Sequence, residues 1–448
     1  MSKTKASSKK LSSFQTIIIG FIAVILAGAL LLMLPVSKRG EGSASFLDAL
    51  FTATSATCVT GLITQDTATY WSGFGQAVIL TLIQIGGLGV VTIAAAFAML
   101  SGRRIGLLQR STMQDSISAM EVGGIVRLTS FAIKITIAVE LTGAILMLPV
   151  FWSEFGPARG IWYSLFHSVS AFCNAGFDLM GVREQFSSLT FFSGSAVVNI
   201  VIILLIVIGG IGFLTWDDIK THRFSLKKYR MQSKVILATS GILIILPAIY
   251  YYVEFSGSSW DMTIGERILA ALFQAVTPRT AGFNTVDLNL LGGGGLLIMI
   301  VLMLIGGSPG STAGGMKTTT AAVLFSSAVS VFRKEKETSF FGRRIPEDAV
   351  KNAAAILLMY LTIFMSGAVA ISNIENLPLK LCLFETASAI GTVGLTLGIT
   401  PSLGTASHII LIVMMFLGRV GGLTVIYAAV SGSKSNLSKL PQEKITVG

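Results

Sequence analysis

LFTATSATCVTGL, running from Leu50 to Leu62, is the first of four versions of one phrase in this 448-residue chain. LFHSVSAFCNAGF follows from Leu165, LFQAVTPRTAGF from Leu272 and LFETASAIGTVGL from Leu383, each closing on a glycine and then Leu or Phe. The glycines are Gly61, Gly176, Gly282 and Gly394, spaced 115, 106 and 112 residues apart. A phrase returning at such a period marks one structural unit copied four times. In each copy a short apolar run of helical character leads into a Thr/Gly-rich turn. Four such turns can bring strands of backbone carbonyls together on one axis.

The sequence around the phrases places them in a membrane. Hydrophobic residues make up 52% of the chain and charged residues 12%, against roughly 25% charged in an ordinary soluble domain, and mean hydropathy is +0.77. Residues 14–36, 74–100, 197–214 and 408–430 are long and almost uncharged, matching the ~20 residues that cross hydrocarbon. They read as helices, since an isolated strand cannot satisfy its backbone in lipid. The first is too long for a cleavable signal peptide. The phrases, at about a dozen residues, are too short to cross and read as re-entrant pore helices. A turn at that depth must line water or an ion. The expected fold is therefore an all-α polytopic membrane protein of four span–pore helix–span repeats, eight spans in all, around one central pore. The expected division is a cytoplasmic N-terminus at 1–13, repeats at 14–103, 104–222, 223–340 and 341–432, and a cytoplasmic tail at 433–448.

A net charge of +11 raises the question of nucleic acid, and its distribution answers it. Of the 33 Lys and Arg residues, 24 fall on the side holding both termini and the connectors between repeats, as the positive-inside rule requires of a cytoplasmic face. The three cysteines, Cys58, Cys173 and Cys382, form no disulfide framework. The three histidines are too scattered for a metal site, and His167 and His408 read as packed or interfacial. No nucleophile and base stand together within the spans, so no enzymatic chemistry is expected.

Each second span carries a glycine mark of its own: IGGLG at Ile85, IGGIG at Ile208, IGGSPGSTAGG at Ile305 and LGRVGG at Leu417. At Gly86, Gly87, Gly209 and Gly210 the small residues suit close helix packing. The third mark goes further, because Gly306 to Lys317 holds five glycines and a proline, too poor in helix formers to continue a span and too long for a kink. Gly310 and Gly315 have the spacing of a phosphate-binding loop, but Met316 stands where its lysine belongs. Arg419 is a charge in mid-span and expensive there, by about 2.5–3.5 kcal/mol on insertion scales. It either faces a cavity or pairs with Glu140, Asp217 or loop carbonyls. Glu385 reads as the start of the fourth pore helix, where a carboxylate favours the helix amino end or attracts cations.

Together, CNAGF at Cys173, TPRTAGF at Thr277, GTVGLT at Gly391, the GGSPGSTAGGMKT loop and the FLGRVGGLT span resemble the Trk/Ktr/HKT superfamily of potassium transporters, in particular its Ktr-type membrane subunit. The resemblance runs from Ser13 to the carboxy terminus. It implies four fused potassium-channel-like units passing K+. The implied selectivity filter is Cys58, Val59, Thr60 and Gly61; Cys173, Asn174, Ala175 and Gly176; Arg279, Thr280, Ala281 and Gly282; Gly391, Thr392, Val393 and Gly394. K+ would bind the backbone carbonyls of Thr60, Ala175, Ala281 and Val393. The implied gate is Gly306, Gly307, Ser308, Pro309, Gly310, Ser311, Thr312, Ala313, Gly314, Gly315, Met316 and Lys317, with Arg419 as a positive barrier below the filter. Gly61 stands where a serine in plant relatives accompanies sodium selectivity. Only the fourth turn keeps TVG, and the third phrase has one residue fewer between its Phe and Gly. The resemblance further implies a homodimer in the lipid bilayer, sodium stimulation, and a cytoplasmic regulatory ring docked on the basic connectors that binds the nucleotide (ATP/ADP or NAD(H)) itself. A Na+/K+ or K+-coupled secondary carrier of the same family is the alternative. Such carriers typically use inverted repeats, whereas these copies share one orientation.

Overall fold

The computed structural model describes residues 12–101, 106–117, 123–223, 225–257, 260–422 and 424. The tail at 433–448, the residues before 12 and the end of the span expected at 408–430 lie outside them. From the N-terminus the helices are α1 (Ser13–Leu32), α2 (Phe46–Thr57), a single turn α3 (Thr67–Tyr70), α4 (Gly73–Leu88), α5 (Val90–Leu100) and α6 (Leu107–Ile117). Then come α7 (Ile125–Phe155), α8 (Pro157–Phe172), α9 (Ala196–Ile211) and α10 (Phe213–His222). Next are α11 (Met231–Glu254), α12 (Ile264–Val276), α13 (Gly293–Leu304) and α14 (Thr318–Phe332), the third phrase beginning in α12. A two-stranded hairpin, Ser339–Phe340 with Arg343–Arg344, leads to α15 (Glu347–Glu375), α16 (Leu379–Gly391) and α17 (Thr405–Val420).

Among the described residues α1, α7, α11 and α15 are each long and apolar enough to cross a membrane alone. The phrases form α2, α8, α12 and α16, and local sequence sets their starts. The Ser45 hydroxyl accepts from Asp48 N at the head of α2, and Thr263 with Glu266 makes a reciprocal cap on α12. α8 opens on Pro157, whose missing N–H is not needed there.

Two second helices differ from the expectation of unbroken spans at 74–100 and 197–214. α4 and α5 meet at a bend of 94°, and α9 and α10 at 96°. The third glycine of each mark causes it. Gly89 and Gly212 have φ of +88° and +97°, and Gly421 after α17 has +87°, a conformation a right-handed helix cannot pass through. The sequence reading reserved a break for the third mark alone. The earlier glycines of each mark do pack closely: a methyl on Gly86 would lie 2.0 Å from Thr57 O, on Gly209 2.0 Å from Phe172 O, and on Gly418 2.2 Å from Ile390 O. Each of these helices therefore rests on the end of its own short helix.

Long helices α1, α7, α11 and α15 pack on α2, α8, α12 and α16 respectively. A second set of contacts runs forward from one copy to the next: α4 on α8, α9 on α12, α13 on α16, and α17 back on α2. These contacts form a closed cycle with the four short helices inside it.

Candidate functional site: a ring of glycine turns

All four turns use the same backbone. Two residues before each glycine the chain is left-handed, with φ of +58° at Val59, +59° at Asn174, +65° at Thr280 and +52° at Thr392. The glycines follow at +94° (Gly61), +70° (Gly176), +81° (Gly282) and +92° (Gly394). Asparagine tolerates this region, but for Val and Thr it costs on the order of 1–3 kcal/mol each. Strain repeated at three of four equivalent sites is held in place by the surrounding fold.

The turns also meet in order. A methyl placed on Gly61 would lie 2.5 Å from Ala175 O, on Gly176 2.7 Å from Ala281 O, on Gly282 2.3 Å from Val393 O, and on Gly394 2.2 Å from Thr60 O. Each glycine thus faces the next copy's carbonyl, and the fourth faces the first. Any side chain at these positions would push the ring apart. The four carbonyls are those that the resemblance assigns to K+.

A set of hydroxyls missed in the sequence holds the turns from behind. Ser55, Ser170, Thr277 and Ser388 all stand five places after the phrase's leucine. Ser55 Oγ accepts from Gly61 N and Ser388 Oγ from Gly394 N, both at 3.0 Å. Ser170 donates to Phe177 O at 2.7 Å, and Thr277 donates to Phe283 O. Recurrence of a hydroxyl at one place in all four phrases was the available signal. The same positions settle the register of the shorter third phrase. α12 stops at Val276, immediately before Thr277, whereas α2, α8 and α16 continue past their serines. The missing residue is taken from the helix end, and the left-handed residue and glycine keep their places.

Packed against the turns is the segment at 305–317, which joins α13 to α14 without helix. It closes on itself through Gly306 N to Met316 O at 2.7 Å and Thr318 N to Gly307 O at 3.0 Å. Its outer ties go to the other glycine marks: Ser308 N to Gly210 O at 3.0 Å, Phe213 N to Gly310 O at 2.8 Å and Gly315 N to Gly418 O at 3.2 Å. The segment touches the turns directly. A methyl on Gly314 would lie 2.1 Å from Thr392 Oγ1, and the single proton of the Thr312 hydroxyl is shared between Phe172 O at 2.9 Å and Asn174 Oδ1 at 3.0 Å. Lys317 Nζ donates to Ala313 O at 2.8 Å and Gly314 O at 3.2 Å.

Arg419 takes backbone carbonyls as its partners and also lines a cavity. Its guanidinium donates to Thr312 O in the loop and to Gly86 O and Gly87 O in the first mark. Glu140 Oε1 instead lies 3.7 Å from Cys173 Sγ, and Asp217 lies 3.5 Å from Arg230. Arg419 and Lys317 share a cavity of roughly 210 Å³ with Asp115, Gly89 and Tyr360. Arg279 turns its side chain away to Ser240 Oγ, 3.0 Å distant on α11.

Glu385 is a correction. α16 begins at Leu379, so the carboxylate stands mid-helix and is no amino-end cap. Fully buried, it accepts from Thr396 Oγ1 at 2.9 Å and from Thr400 Oγ1, fastening the loop beyond the turn. His167, with Nδ1 bonded to Tyr163 O at 2.7 Å, and His408, bonded to Thr400 O at 2.8 Å, are packed as expected.

Apolar helices enclosing a closed ring of strained turns define a polytopic α-helical membrane protein. Residues 2–439 match the TrkH family of cation transport proteins, and the chain belongs to that family. It is 38% identical over 452 residues to the potassium/sodium uptake protein NtpJ of Enterococcus hirae, covering 99% of each chain. It is 39% identical to the Ktr system potassium uptake protein B of Bacillus subtilis, covering 97% of this chain and 96% of the relative. The crystal structure of the potassium transporter TrkH from Vibrio parahaemolyticus has the same fold, with a TM-score of 0.73 at 18% identity over 94% of this chain and 85% of that one.

Proposed function

We propose that the protein takes up potassium across the plasma membrane through a pore of eight spans and four re-entrant helices, with both termini cytoplasmic. Residues 58–61, 173–176, 279–282 and 391–394 form its selectivity filter, and the 306–317 loop with Arg419 forms its gate. The observation that carries this reading is the cyclic approach of Gly61, Gly176, Gly282 and Gly394 to the neighbouring carbonyls. Uncharged carbonyl dipoles converging on one passage can replace the hydration shell of a monovalent cation and still release it. The loop lies where an ion leaving that ring must pass, and a guanidinium there opposes a cation electrostatically. The names of the relatives, a potassium uptake protein and a potassium/sodium uptake protein, support potassium as cargo, with sodium as a stimulating or competing ion. A homodimer controlled by a cytoplasmic nucleotide-binding ring on the basic connectors completes the proposal.

Uptake of potassium, rubidium, sodium and ammonium in cells lacking other potassium importers tests it. Potassium and rubidium uptake above background is expected. Uptake confined to sodium would overturn the cargo, and obligatory ion exchange in reconstituted vesicles would overturn the pore.

A further inference from the structure

Asn174 differs from the three residues that share its left-handed backbone. Val59 has no polar side-chain atom, and the hydroxyls of Thr280 and Thr392 are buried without a hydrogen-bond partner among the described residues. The Asn174 amide is bonded in two directions. Its Nδ2 donates to Arg279 O at 3.3 Å, in the third turn, and to Ile206 O at 3.5 Å. Its Oδ1 accepts from Thr312 Oγ1 at 3.0 Å, in the 305–317 loop. Reversing the amide would set Oδ1 against the Arg279 carbonyl, so the network fixes its orientation.

Among the described residues, Thr312 is the loop residue hydrogen-bonded to both this amide and Arg419. Its N–H donates to Gly209 O at 3.3 Å, its hydroxyl also reaches Phe172 O at 2.9 Å, and its carbonyl accepts from Arg419. A methyl on Gly209 would lie 2.9 Å from both Asn174 Oδ1 and Thr312 Oγ1, so the two side chains meet in a space that only glycine leaves open. Both residues are fully buried. An amide is one rigid plane. Withdrawing Thr312 leaves Oδ1 without its donor in a site where an unpaired polar atom is costly, and the amide must turn to find another. Turning it releases Arg279 O.

We propose that Asn174 is a specificity-determining positioning residue coupling the loop to the ring: its amide holds the third turn in place only while Thr312 is seated beneath it. Displacing the loop then changes which ion is preferred, as well as how fast ions pass. This rests on the pore reading, and uptake by the unaltered protein tests that reading separately.

The experiment compares sodium and potassium uptake, in cells lacking other potassium importers, for Thr312→Val, Thr312→Ser, Asn174→Gly and the Asn174→Gly/Thr312→Val pair. Thr312→Val keeps the shape and the carbonyl that Arg419 uses but removes the hydroxyl. Asn174→Gly keeps the left-handed backbone but removes the amide. Thr312→Val and Asn174→Gly should each shift the sodium-to-potassium ratio by about three- to tenfold, the scale of one buried neutral hydrogen bond. Thr312→Ser should restore the original ratio. The double variant should shift it no further than Asn174→Gly alone, as for residues acting through one contact. A Thr312→Val protein that changes uptake rate at an unaltered ratio overturns the proposal, and so do two shifts that multiply. The Thr312 pair decides the matter even where Asn174→Gly does not reach the membrane. No potassium uptake by the unaltered protein would strike the pore reading instead.

Discussion

At Gly61 two constraints coincide: a φ of +94° and a neighbouring carbonyl 2.5 Å from where a methyl would stand. A serine there pays about 1–2 kcal/mol in backbone conformation and forces Ala175 O outward. Gly61→Ser is therefore expected to lower potassium uptake and raise the share of sodium, read by competition between the two ions; an unchanged ratio would remove Gly61 from the filter. The hydroxyls behind the ring act on stability. Ser55→Ala and Ser388→Ala each leave a buried glycine N–H unpaired, costing about 1–3 kcal/mol, and should lower the thermal unfolding midpoint in detergent. Glycines were legible in the sequence because only they combine the conformation with the close approach. Ser55, Ser170, Thr277 and Ser388 were not, because serine and threonine are common within such short apolar helices and nothing in one phrase says where a hydroxyl points.

Among the elements, the loop at 305–317 was readable from composition, since no helix runs through so many glycines and a proline. The bends at Gly89 and Gly212 were hidden, because IGGLG and IGGIG sit in runs apolar enough to look like uninterrupted spans, and one positive φ leaves no trace in hydropathy. Arg419 bridges two of these breaks, donating to Thr312 O in the loop and to Gly86 O and Gly87 O in the first mark. Arg419→Gln should free the loop and raise basal potassium flux. Arg419→Lys keeps the charge but lacks the planar fork that reaches both sides, and its flux should fall between the two. Deleting residues 310–315 should raise flux further still; a transporter that stays tightly closed in vesicle flux measurements would place the barrier elsewhere.

For the whole molecule, the sequence implied four copies but not their neighbours, because forward packing of one copy on the next depends on contacts between segments far apart in the chain, most distant where α17 meets α2. The first and last copies meet through α2 and α17, where His408 lies edge-on to Phe51 at 5.2 Å and bonds Thr400 O at 2.8 Å. His408→Leu removes both and should cost about 1–3 kcal/mol, seen as a lower unfolding midpoint with the chain still inserted. This boundary differs from the other three in one respect: no connector crosses it, yet it packs in the same way, and α1 also touches α17. Architecture of this kind does not depend on where the polypeptide starts. A circular permutant that joins the present ends by a flexible linker and begins at the connector before α7 should rebuild the same four quadrants in the same rotational order.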